Sequence, residues 1–394
     1  MKKIIFSFFI LFCICGCWNY QELNEYSIVT GIAIDKTSSG YSVSTLISNV
    51  PKGNNGSENS SSNSEIVVYE GKGNTISEAL KDIGLVSPKE LYLNSFYILV
   101  ISGDVAKDGI NNVLDFFLKY SSSRNNFNII VSKDCKAKDT LKIMTSITNF
   151  PSQSISDNLK TTSKLQGFIK SVNFDDLLST LINEGIDPTL STVTIIGNIE
   201  DGFTKENLES SEPKAYVKLD NLAIFKGDKL INFASKDEST GINMIDNKID
   251  EMIFEINLDN NLAIIDTINF NSKIKTSIID DTPYVDIFLN GDSKIIETNG
   301  KINIADDNVL SMIQKKTNDK AKQYVLDAIN LSITNNTDIL GIGKIFKTNH
   351  PNYFKRVEKD WYNELRKIKF TIYSDIKINN IVSAKNSLEE VYNG

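Results

Sequence analysis

The sequence predicts an α+β protein of more than one domain. A mixed α/β region is expected over residues 17–205, followed by a C-terminal domain over 213–392 with an antiparallel sheet and two long helices. Three observations carry this reading. Short apolar strands alternate with helix-period segments in the first half, without a regular βαβ repeat. After Ser210-Ser211-Glu212-Pro213, a run of turn-forming residues, the pattern changes to hairpins. Near the end, two segments carry apolar residues at helical spacing.

The chain opens with Lys2 and Lys3, followed by an apolar run of 11 residues from Ile4 to Ile14. Such a run fits a secretory leader and falls short of the roughly 20 residues a membrane-spanning helix needs. At its end, Ile14-Cys15-Gly16-Cys17 resembles the lipobox of bacterial lipoproteins. The resemblance implies removal of residues 1–16 as a signal peptide and a diacylglyceryl thioether on Cys17. Two acyl chains matter, because each buried methylene contributes about 0.8 kcal/mol and one chain alone holds only marginally.

Tyr26 to Asp35 reads as the first strand, with Tyr41 to Val50 as its hairpin partner across Ser38-Ser39-Gly40. Residues 51 to 65 are almost free of apolar side chains and read as a mobile loop, since nothing there offsets the entropy of ordering. Ile66 to Tyr69 resumes as a strand. Thr75 to Ile83 reads as a helix with Thr75 and Glu78 at capping-box spacing. Leu91 to Ile101 reads as one buried strand, Gly109 to Tyr120 as an amphipathic helix, Phe127 to Val131 as a strand and Lys138 to Thr145 as a short helix. The segment from about 150 to 210 is rich in Ser, Thr, Asn and Asp, with a helix over Phe174 to Asn183 and a strand over Val193 to Ile199.

Beyond 213, Ala215 to Phe225 and Lys229 to Phe233 flank the turn Lys226-Gly227-Asp228. Further strands are expected at Met252 to Leu258, Ala263 to Ile268, Lys273 to Ile279 and Tyr284 to Asn290. The two helices run from about Asn308 to Leu331 and from about Pro351 to Lys367, with proline suited to a first helical turn. An alternating strand follows from Phe370 to Ile378.

Composition narrows the function classes. The net charge is −8, and loss of Lys2 and Lys3 with the leader makes the mature chain −10, 40 basic against 50 acidic residues. Nucleic acid is therefore not an expected partner, because its binding depends on neutralising phosphates. A polybasic membrane patch is likewise absent, so lipid must supply the membrane attachment. The mature chain keeps Cys17 and one further thiol, Cys135, which reads as a small buried or half-buried filler. With His350 the single histidine, no metal site of the usual His/Cys kind and no cofactor is expected.

Catalytic signatures are missing as well. Nucleophilic serine chemistry would need His350 as its base, yet that residue precedes Pro351 at a helix start, where capping or solvent exposure is the ordinary role. Gly71-Lys72-Gly73-Asn74-Thr75 lacks the first glycine and the spacing of a phosphate loop. Gly341-Ile342-Gly343 reads as a tight turn rather than a dinucleotide fingerprint. Asp280-Asp281 fits a solvated turn between strands, and Asp306-Asp307 suits a helix N-terminus. Asp246, Asp250 and Glu251 do not match a calcium loop. No enzyme is expected and no catalytic residue is assigned.

Four blocks together resemble the Ger(x)C family, the C-subunit lipoproteins of bacterial spore germinant receptors. The first is CWNYQELNEYSIVTGIAID, through Trp18, Glu22, Leu23, Gly31, Ile32, Ile34 and Asp35. The second is LYLNSFYILVISGDVAKDGINNVLDFF, with Asn94 where many members carry histidine. The third matches through Ala223, Phe225, Lys226, Lys229, Leu230, Glu238 and Gly241, and the fourth through Asp338, Gly341, Gly343, Pro351 and Trp361. Ile381-Val382-Ser383 departs from the family's usual Arg-Thr-Gly ending.

The resemblance implies a multi-domain α/β fold and a non-enzymatic subunit on the outer face of the spore inner membrane, anchored by lipid. Its implied partners are the integral membrane subunits of a receptor that initiates germination; direct binding of the small-molecule germinant stays open. The alternative is a solute-binding lipoprotein of an importer, for which two lobes of repeated βαβ units would be expected.

Overall fold

The computed structural model describes residues 25–48, 66–120, 126–145, 147–148, 150–258, 261–299, 302–304 and 306–379. The leader, Cys17, the loop expected at 51–65 and Ile381-Val382-Ser383 lie outside the described residues. The α+β class is observed, with a nine-stranded sheet followed by a four-stranded one.

The first sheet collects β1 (Tyr26–Lys36), β2 (Tyr41–Ser48) and β3 (Ile66–Gly73), then α1 (Ile76–Gly84) packs back on it. The expected strand Leu91–Ile101 is two: β4 (Glu90–Tyr92) and β5 (Ile98–Ser102). Between them the chain turns at Asn94-Ser95, sinking Leu93 and Phe96 into the core, and Tyr97 N–H bonds to the Thr30 carbonyl at 2.9 Å. There follow α2 (Gly103–Asp108), α3 (Asn111–Lys119), β6 (Asn128–Ser132), α4 (Ala137–Thr140), α5 (Pro151–Leu165), α6 (Phe174–Ile182) and β7 (Thr189–Gly197). Two single turns, α7 (Ile199–Gly202) and α8 (Glu206–Glu209), lead to the hairpin of β8 (Ala215–Lys226) and β9 (Lys229–Phe233). The order is β3-β2-β1-β5-β6-β7-β8-β9, with β4 beside β1; β1, β5, β6 and β7 run parallel.

Helix α5 has no counterpart among the expected elements. It buries Ser152 and Ser156 together with Pro151, Ile155 and Leu159, so two of its five buried residues are polar and the hydrophobic period is faint. The boundary expected between 205 and 213 is crossed by the sheet, because β8 pairs antiparallel with β7. Strand alternation explains this. Ala223 and Phe225 face the core of the first sheet, whereas Leu222 and Ile224 belong to the core of the second half.

The second half comprises α9 (Lys236–Ile245), β10 (Glu251–Leu258), β11 (Asn261–Ile279), β12 (Thr282–Asn299), α10 (Asp307–Thr334), α11 (Ile342–Asn349), α12 (Pro351–Val357), α13 (Trp361–Leu365) and β13 (Lys369–Ile378). The expected strands at 263–268 and 273–279 are one, β11, bent where its register shifts between Ile268 and Asn271. Asp280 and Asp281 form the two-residue turn to β12, both at positive φ (48° and 59°), as a primed hairpin turn requires.

Two details of the C-terminal expectation need correction. The sheet is antiparallel through β10-β11-β12, but β13 lies parallel to β12, reached by the long crossover through α10. Of the two long helices, only α10 is long, at 28 residues. The second is broken by a 3₁₀ turn over Glu358–Asp360, and the break folds Trp361 back against Phe354, ring centroids 5.2 Å apart.

Helix α10 also closes both edges of this sheet. Lys316 and Lys320 donate to the Asn257 and Glu255 carbonyls of β10 at 2.9 and 2.8 Å. Asn318 both accepts from Ile376 N–H (2.8 Å) and donates to its carbonyl (3.0 Å) on β13. These bonds occupy some of the edge groups that could template pairing with another chain.

Candidate functional site

The most constrained polar constellation lies where the two halves meet. The Asp338 side chain is fully buried. One carboxylate oxygen accepts the Ile342 N–H at 3.0 Å; the other accepts the Gly343 N–H at 2.6 Å and the Trp361 Nε1–H at 2.7 Å. Burial pushes this carboxyl up to about 6, against the pull of those three donors. Asp187, from the loop before β7, locks the same corner. Its Oδ2 accepts the Asp338 N–H at 2.7 Å, while its own N–H donates to the Asp338 carbonyl at 2.8 Å. Its Oδ1 accepts the Gly227 N–H of the β8–β9 turn at 2.7 Å and the Tyr362 hydroxyl at 3.3 Å.

Local sequence explains the fit. Gly341 takes φ +65° and starts α11, as the tight-turn reading expects. Gly343 needs to lack a side chain: a Cβ there would meet Gly185 Cα at 2.6 Å and the Trp361 ring at 2.7 Å. The break after α12 is what lets Trp361 aim its N–H at Asp338. The fourth motif block is thus one buried knot of Asp338, Gly343 and Trp361. Asp187 and Gly185, which complete it, were not singled out by sequence reasoning. They sit about 150 residues upstream in a turn-like stretch, and no periodicity links them to Asp338.

Other motif residues also hold backbone. Asp35 accepts the N–H groups of Ala137 and Lys138 at 2.8 and 2.9 Å, capping α4; burial raises its carboxyl while these bonds draw it down. Glu238 and Ser235 form a capping box at the start of α9. Gly241 presses directly against the Tyr324 carbonyl, so that α9 and α10 cross at backbone distance. His350 sits between α11 and α12 with Nε2 3.1 Å from the Thr276 carbonyl oxygen. Cys135 is half-buried, and burial pushes its thiol up to about 12, far from a nucleophilic thiolate. Asp281 pairs with Arg356 at 2.7 Å, Asp306 caps α10, and Asp246 pairs with Lys170. Cys17, the expected lipid attachment site, lies outside the described residues. Among the described residues, no three His, Cys, Asp or Glu side chains are grouped to hold a metal ion, and no helix is long and apolar enough to cross a membrane.

Residues 19–195 match the family described as "Spore germination protein N-terminal domain", and residues 220–382 match "Spore germination B3/ GerAC like, C-terminal". The chain belongs to the Ger(x)C family. Spore germination protein KC of Bacillus subtilis (strain 168) is 26% identical over 358 residues, covering 89% of this chain and 88% of the relative. Spore germination protein B3 of the same organism is 23% identical over 133 residues, covering 34% of this chain and 35% of that protein. The crystal structure of the GerBC protein shares the fold, with a TM-score of 0.54 at 16% identity, covering 92% of this chain and 100% of that one. In this Ger(x)C protein, then, Asp35, Glu238, Gly241, Asp338, Gly343 and Trp361 serve caps, crossings and the knot between halves.

Proposed function

We propose that this Ger(x)C protein is a lipid-anchored, non-enzymatic subunit of a nutrient germinant receptor, held through Cys17 on the outer face of the spore inner membrane. Its partners there are the receptor's integral membrane subunits. The observation that carries the reading is the family match along both halves of the chain, joined to a leader that ends in Ile14-Cys15-Gly16-Cys17. The protein's knot of buried carboxylates sets the two halves in a fixed relation, as a scaffold between partners requires.

The test is Cys17→Ala in the spore. The variant protein is expected in the soluble fraction, with the nutrient response impaired and the purified protein melting as the parent does. Full membrane retention of the variant would show the lipid to be dispensable. A normal nutrient response in a deletion strain lacking sibling receptors would overturn the receptor assignment itself.

A further inference from the structure

We propose that the turn after α1, with Leu85 and Val86 at its tip, dips into the lipid surface beside the anchor and fixes how the protein sits on its membrane. Leu85 is 84% exposed and Val86 58%; among the described residues they are the one pair of sequence neighbours in the class of exposed large apolar side chains. Single apolar residues in water are ordinary, but an adjacent pair at the tip of a turn calls for a partner. Neither belongs to a core of either half. The backbone of the tip also suits a medium without water. Leu85 N–H donates to the Asp82 carbonyl at 3.1 Å, and the N–H groups of Val86 and Ser87 both donate to the Ile83 carbonyl, at 3.0 and 2.8 Å. Pro88 has no N–H, and the Ser87 hydroxyl donates to the Lys89 carbonyl at 2.7 Å. Residues 85–88 thus present no unpaired backbone donor, the group a bilayer penalises.

Position then selects lipid as the occupant. The Ser27 and Ser87 hydroxyls lie 3.3 Å apart, and β4 pairs with the first residues of β1, Tyr26 opposite Glu90. The tip therefore stands at the end of the sheet where the chain arrives from Cys17. Cys17 is nine residues before Tyr26, a span of at most about 30 Å, so a lipid there holds the bilayer within reach of this end. Tyr26 and Tyr92, half-buried with ring centroids 5.4 Å apart, share the rim and suit the headgroup level. The flanks are balanced in charge, Lys81 and Lys89 against Asp82 and Glu90, so apolar burial drives the contact and an anionic surface is not required. The inference rests on the proposed anchor at Cys17.

The test places the full chain, purified from membranes, in vesicles of equal parts phosphatidylethanolamine and phosphatidylglycerol. In a Cys135→Ser background, a polarity-sensitive fluorophore is attached at Leu85→Cys, at Val86→Cys or, as control, at Ser39→Cys in the exposed turn at the other end of β1. Emission is expected to shift to the blue and to be quenched by nitroxide-bearing lipid at 85 and 86, and to do neither at 39. Leu85→Ser with Val86→Ser is expected to pass to acceptor vesicles at least about tenfold faster than the parent, with a matched melting curve because both side chains are exposed. Emission that stays polar at 85 and 86, while the mass of the N-terminal peptide shows lipid on Cys17, would overturn the proposal and leave the anchor standing. Blue-shifted emission without quenching would mean that protein, such as the chain around Trp18, covers the tip, and overturns it equally, as does parent-like transfer by the double variant. Quenching confined to 85 and 86 on a chain whose Cys17 is unmodified would support the tip and sink the anchor.

Discussion

Replacing Asp338 by Asn isolates the energetics of the knot. In the folded protein burial lifts this carboxyl from 3.8 to about 6, so the folded state keeps a proton that the unfolded chain has already released. The sign follows directly. The contribution is fully present below the unfolded value near 3.8 and is lost as pH rises through about 6. At about 1.36 kcal/mol per unit, the loss amounts to about 3 kcal/mol between pH 4 and pH 8. Asparagine does not titrate, but it turns an N–H toward one of the three donors at Ile342, Gly343 and Trp361, which costs about 1–3 kcal/mol at any pH. Asp338→Asn is therefore expected to be the less stable protein at pH 4, with the gap to the parent narrowing or closing by pH 8. Urea denaturation followed by Trp361 fluorescence reads this, with Trp18→Phe in both backgrounds so that Trp361 is the sole tryptophan. If parent and variant show the same pH dependence of stability, the carboxyl does not titrate in this range and the account of the knot fails.

Three further outcomes follow from the same geometry. Gly343→Ala drives a methyl into Gly185 and the Trp361 ring and should cost at least about 1–3 kcal/mol, read as a lowered melting temperature; an unchanged one would mean the crossing can relax. Asp35→Ala strips two acceptors from the start of α4 and should cost about 1–2 kcal/mol, with faster amide exchange at Ala137 and Lys138 as its local signature. Separate expression of residues 17–205 and 213–392 should give fragments that associate or aggregate rather than two independent monomers, because the cut divides β7 from β8; sedimentation of each fragment tests this.

What the sequence made legible was what local chemistry determines. The turn at Asp280-Asp281, the caps at Thr75 and Asp306 and the alternating strand β10 all follow from residue type and period. What it hid was decided by tertiary contact. Helix α5 carries serines inward because they are hydrogen-bonded there: Ser152 donates to Thr30 at 3.1 Å and Ser156 accepts from Asn128 at 3.0 Å. A single apolar stripe runs through Phe354, Val357, Trp361 and Leu365, yet the chain breaks at Glu358, since the bond from Trp361 to Asp338 requires a different direction from the one the helix would have continued.

Strand β8 carries the larger consequence. Its alternate residues feed two cores: Ala223 and Phe225 one, Leu222 and Ile224 the other. Each buried Leu, Ile or Phe side chain contributes about 1.5–3 kcal/mol, so neither core is complete without the same strand. The turn that ends β8 then donates the Gly227 N–H to Asp187, and Asp187 grips Asp338. Strand, turn and knot form one continuous path from the first sheet to α11 and α13, and each step is a buried contact or a hydrogen bond. A load applied to either half therefore reaches the other through groups packed too tightly to deform gradually. That rigidity accounts for motif residues that cap helices, cross at backbone distance and lock the corner between the halves.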